Sequence, residues 1–73
     1  MSGTITHFVV HTDEHGEEPV RFGGLNAAST YAKSLHSLIA YQGLPVHISL
    51  VCSVSSAGFL TVADIKHVET IKP

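Results

Sequence analysis

With 73 residues, this chain has room for one domain around one modest core. Four Lys and Arg stand against six Asp and Glu, a net charge of −2 with the histidines neutral. No basic stripe can displace counterions from nucleic acid, so no direct nucleic-acid binding is expected, and the chain is too weakly acidic to imitate DNA. Charged residues make up only 14%, where about a quarter is usual, so Ser, Thr, His and Gly must cover the surface.

That low charge favours association, with a second copy as a homodimer or with a larger protein partner. A polar, uncharged surface that meets only water accounts for it equally well. Cys52 is the single cysteine, so no internal disulfide is available. The opening MSGTITHF lacks the basic start and apolar stretch of a signal peptide. No apolar run is long enough to span a bilayer, and a soluble, cytoplasmic protein without a membrane partner is the expectation. Protonating all six histidines would carry the charge from −2 to +4, so solubility and partner affinity should respond to pH near 6.

Residues 4–12, TITHFVVHT, are rich in β-branched and aromatic types and predict a strand. Apolar side chains on both of its faces (Ile5 and Val9, Phe8 and Val10) place it centrally in a sheet or under cover on both sides. DEHGEE follows as a solvated hairpin turn, and Pro19 opens a short strand, Val20 to Phe22, at an edge. Gly23-Gly24 ends that strand. Asn26 is a good helix N-cap, and the spacing of Ala28, Tyr31, Ala32, Leu35, Leu38, Ile39 and Gln42 predicts an amphipathic helix from about Ala27 to Gln42. Gly43 suits the left-handed residue after the helix, with Pro45 just beyond.

Val46, Ile48, Leu50, Cys52 and Val54 alternate with His47, Ser49, Val51, Ser53 and Ser55. This predicts a strand with the first set in the core and the second facing water. Ser56-Ala57-Gly58 is a turn. Phe59 to Val62 predicts a returning strand, and His67 to Ile71 another short one after a bend at Asp64; Thr61 with Asp64 also fits the start of a short helix. The fold class is α+β: an antiparallel sheet of four strands, or five if the last segment divides, with one amphipathic helix on one face in the order β-β-α-β-β. The whole chain, 1–73, is one domain.

Catalytic patterns are weak. Four residues along a strand separate His7 from His11 by about 13 Å, too far to share a metal. His15 can fold back towards His11, but no third ligand is fixed, and no metal or cofactor is expected within one chain. Cys52 sits on the apolar face of its strand without the electropositive setting of a reactive thiolate. Ser53, Ser55 and Ser56 lack the G-x-S-x-G elbow. Gly23-Gly24-Leu25-Asn26 matches no nucleotide-binding fingerprint, and Glu14, Glu17 and Glu18 crowd an expected hairpin tip. An enzyme is therefore not expected. The outer helix face is more unusual: Ser29, Thr30, Ser34, His36, Ser37 and Tyr41 surround one charge, Lys33. Tyr favours interfaces, which suggests a docking face there.

The succession THFVVHT, loop, PVRFGG, helix LNAASTYAKSL, then VHISLVCSV and GFLTV resembles small phage and mobile-element inhibitors of the type I anti-CRISPR kind. That resemblance implies a non-enzymatic inhibitor, in the host cytoplasm if phage-encoded. It would dock on a nuclease or larger host complex and block it sterically. Apart from that resemblance, the exposed candidates for contact are Arg21, Lys33, Ser37, Tyr41 and Lys66. A second reading is a homodimeric module responsive to pH or metal, with His7, His11, His15 and His47 contributing across the interface.

Overall fold

The computed structural model describes residues 3–73. Strands β1 (Gly3–Thr12), β2 (Gly16–Phe22), β3 (Val46–Ser56) and β4 (Phe59–Ile71) form one antiparallel sheet in the order β2-β1-β3-β4. Helix α1 (Leu25–Leu35) and a short 3-10 turn (Ile39–Tyr41) lie between β2 and β3. This is the α+β fold that the sequence implies. As its two-faced apolar pattern requires, β1 is central, flanked by β2 and β3.

Cross-strand pairing fixes which side chains share a face, because directly opposed residues point the same way. Val10 pairs with Ile48 and Val46 with Ile71, all towards the helix. Ala28, Ala32 and Leu35 of α1 close over Val10, Val46 and Ile48 to make the core, with Phe8, Phe22, Tyr31 and Tyr41 packed around it. The two buried alanines bring the helix backbone close to the sheet. This core sits at one end of the molecule, whose extents are 44 × 22 × 17 Å. Eleven helical residues span about 16 Å, whereas the eleven residues of β3 run about 37 Å, so α1 covers less than half the sheet. Leu50 and Cys52 are accordingly half-buried and Val54 is exposed, although they continue the core-facing alternation.

Four expectations need correction. First, the helix begins at Leu25 with Gly24 as its extended N-cap, not at Ala27 after Asn26: the Gly24 carbonyl accepts the Ala28 N–H at 3.2 Å. Second, it ends at Leu35 rather than Gln42. The N–H groups of His36, Ser37 and Leu38 each bond back three residues, and Leu38 turns extended. Ser34 and Ser37 donate their hydroxyls to the carbonyls of Tyr31 and Ser34, a local competition that disfavours further helix. The His36 Nε2–H donates to the Leu44 carbonyl at 2.8 Å, holding the reversed chain. Leu38 and Ile39 thereby leave the expected apolar stripe, and Ile39 is 89% exposed. Gly43 does take a left-handed φ of 81°, but it closes the 3-10 turn and not α1.

Third, Phe59 to Ile71 is one strand of 13 residues, neither two strands nor a capped helix. It pairs with the 11 residues of β3 through two bulges, which set Ala63 and Val68 outside the register. Ala57 and Gly58 join the two strands with φ of 52° and 80°, the doubly left-handed geometry of a two-residue hairpin. Fourth, on the other edge β2 starts earlier than expected, at Gly16, and carries Pro19 within an irregular stretch between Glu17 and Arg21. Among the described residues, no helix is long and apolar enough to cross a membrane.

Candidate functional site: the helix-free groove

The face of the sheet turned away from α1 has no element over it, yet its floor is not open to water. Val9, Ser49, Val51 and Ser53 are buried there, Val51 at 5% exposure and Ser53 at 1%. Their placement follows from the pairs Val9 with Ser49, His7 with Val51 and Ile5 with Ser53. The serines and Val51, expected to meet water, are shielded by longer side chains from the outer strands and by the bend that bulges impose. Two adjoining hollows result, of about 190 Å³ and about 250 Å³. Both are lined by Glu17, Val51 and Ile65. The first adds His7, Arg21, Ser53, Leu60 and Val62, and the second adds Val9, His11, Thr12, Gly16 and Ser49.

At one end of this face three histidines gather from three strands. The His11 and His47 ring centres are 5.3 Å apart, and those of His47 and His67 are 5.9 Å apart. His11 Nε2 shares a 2.8 Å hydrogen bond with the Ser49 hydroxyl. His47 Nδ1 and His67 Nε2 both reach the Thr70 hydroxyl, at 3.0 and 2.8 Å. That hydroxyl has one proton, so with neutral rings it donates to one imidazole and accepts from the other. Burial first, then the neighbouring His47 charge, pushes the His11 pKa below its ordinary value, against the opposing pull of Asp13 and Glu17. Neutral His11 therefore favours the folded state above pH 6.5, and that contribution is lost as pH falls through its lowered value. Asp13, 3.8 Å from His47 Nε2, is 95% exposed and adds little.

This cluster differs from the set read from sequence. His67 joins His11 and His47, while His7 lines the groove farther along and His15 lies elsewhere. The His15 Nε2–H donates to the Ala40 carbonyl at 2.8 Å, with its ring 4.6 Å from Tyr41. The bulge at Val68 brings His67 opposite Ser49, and strand alternation alone does not reveal that shift. Among the described residues, no group of three or more His, Cys, Asp and Glu is arranged to hold a metal ion.

The His11–Ser49 contact has the distance of a base–nucleophile pair. Ser49 is buried in a central strand paired to β1 and β4.

The expected contact residues do not form one patch. Arg21 lines the groove and makes no ion pair among the described residues. Lys33 is exposed on α1, on the opposite side of the sheet. Lys66 pairs with Leu50 and so also belongs to the helix side. Ser37 lies beyond the helix with its hydroxyl on Ser34, and Thr30 and Ser34 likewise bond to their own backbone. Tyr41 is half-buried in the 3-10 turn, not on α1, and its hydroxyl donates to Glu18 at 2.6 Å. Tyr31 donates to the other Glu18 oxygen at 2.9 Å. Glu18 is thus no hairpin-tip charge but the acceptor that ties β2 to α1 and the 3-10 turn. No family model matches the sequence, and comparisons with curated proteins and with solved structures found no match.

Proposed function

We propose that the chain is a non-catalytic binding protein that seats a protein partner in the helix-free groove and obstructs that partner sterically. The observation that carries this reading is the groove itself. It has an apolar floor of Val9 and Val51, rims of Leu60, Val62 and Ile65, and a cation, Arg21, without an ion pair among the described residues. Apolar floors with a few fixed polar groups are the usual anatomy of a docking site. The complementary partner surface is an apolar ridge with a carboxylate placed to meet Arg21. The outer face of α1 is the weaker docking surface, because the hydroxyls of Thr30, Ser34 and Ser37 are already satisfied locally.

The test compares affinity capture from lysate by the full chain and by variants that divide the two faces. Ile5→Lys and Arg21→Glu alter the groove side, and both residues are exposed and lie on strands that are not paired with β4. They should lose the captured protein, whereas Lys33→Glu on the helix should retain it. Capture that survives both groove variants and vanishes with Lys33→Glu would move the docking surface to the helix. Ser49→Ala should not alter hydrolysis of an activated ester.

A further inference from the structure

The two edges of the sheet are unlike. On the β2 edge Pro19 removes a backbone donor, the register is irregular, and Glu17, Glu18 and Arg21 crowd the strand. Such features block strand addition. The β4 edge has no proline, and every residue from Phe59 to Val68 is exposed. Its apolar side chains, Phe59, Leu60, Val62 and Ile65, are not covered by any element, and Ile65 is 61% exposed. An open apolar edge of this length invites another strand.

The charges on β4 select which strand fits. In an antiparallel pair of identical strands, residues equidistant from the centre face one another and share a side of the sheet. The stretch between the two bulges is Asp64–His67. Centring on Asp64 or Lys66 sets like charges opposite each other, which is unfavourable. A centre at His67 opposes two imidazoles. A centre at Ile65 sets Asp64 against Lys66 of the other copy, twice by symmetry, with the two Ile65 side chains in contact.

We propose that two copies of this chain join edge to edge through β4, antiparallel and centred on Ile65. They make one continuous eight-stranded sheet with both helices on one side and both grooves on the other. Because each remaining edge is a proline-blocked β2, assembly closes at two copies and does not extend into a filament. The low charge content of the chain agrees with a surface covered in this way. This goes beyond the groove reading and does not depend on it.

Light scattering on the full chain, over a wide concentration range, should give twice the 7.8 kDa chain mass. Ile65→Lys should give the monomer. Asp64→Lys and Lys66→Asp should each be monomeric alone, since each sets two like pairs across the axis. Their equimolar mixture should restore the dimer, and so should the double variant Asp64→Lys/Lys66→Asp. Circular dichroism confirms that each chain is folded, and misfolded chains could not rescue one another on mixing. A wild-type monomer at all concentrations, single variants as dimeric as wild type, or no rescue on mixing would overturn the proposal. A wild-type monomer that still captures its partner through Arg21 would leave the groove reading intact, and a dimer that captures nothing would do the reverse.

Discussion

Glu18 holds two tyrosines with one carboxylate, and the effect is visible in their titration. Its hydrogen bond raises the Tyr31 pKa, and pushes that of Tyr41 up to about 12, because ionising either phenol breaks a bond and sets two anions together. The folded values lie above the unfolded value of 10.0. The stabilisation is therefore complete below pH 10 and lost as pH rises towards 12. Glu18→Gln should bring tyrosinate formation back towards the ordinary value in an ultraviolet titration. It should also weaken the alkaline dependence of the melting temperature. Little in the sequence warns of this role, since a Glu close to Gly16 and two other acids fits a solvated turn; β2 instead starts at Gly16, and alternation back from Phe22, opposite Phe8, puts Glu18 on the helix side.

Among the elements, the apolar patterns of α1 and β3 are buried unequally. Ile48, from the alternating strand, is fully buried beneath α1, whereas Ile39, expected in the apolar stripe of the helix, meets solvent. Ile48→Ala should cost about 2–5 kcal/mol, comparable to the about 3–5 kcal/mol that an unstapled core of this size supplies. That variant is expected to be largely unfolded in circular dichroism, while Ile48→Val should fold with a lowered midpoint. Ile39→Ala should stay within about 0.5 kcal/mol of wild type in urea titrations. The strand periodicity of β1 and β3 and the Ala28, Ala32, Leu35 spacing were legible in sequence because each follows a simple repeat. The helix end was not, since it depends on a contact between His36 and Leu44 across the turn.

For the molecule as a whole, burial is concentrated at one end. Val10, Val46 and Ile48 lie under the helix, while the β3–β4 hairpin around Ala57 buries no residue from Val54 to Val62 and is held by its own pairing and by that of Val54 and Ser55 with the start of β1. Regions with few buried contacts open locally at lower free energy. Amide exchange should therefore be about tenfold or more faster across Val54–Val62 than across Val46–Ile48, measured residue by residue in the monomeric Ile65→Lys chain. The groove was hidden from sequence for a related reason. His47, Ser49, Val51 and Ser53 alternate as a water-facing set should, and longer side chains from the outer strands together with the bend at the bulges withdraw three of them from solvent.

That bending has its source in arithmetic between two strands. β4 uses 13 residues to match 11 in β3, and the surplus is Ala63 and Val68. Neither residue supplies a functional group to the hollows, yet together they set the curvature that forms them and the phase that brings His67 to Thr70. The site is thus encoded partly as spare length. Replacing either residue by another small or apolar one should be tolerated, while deleting both should flatten the sheet and erase the groove with every lining residue still present.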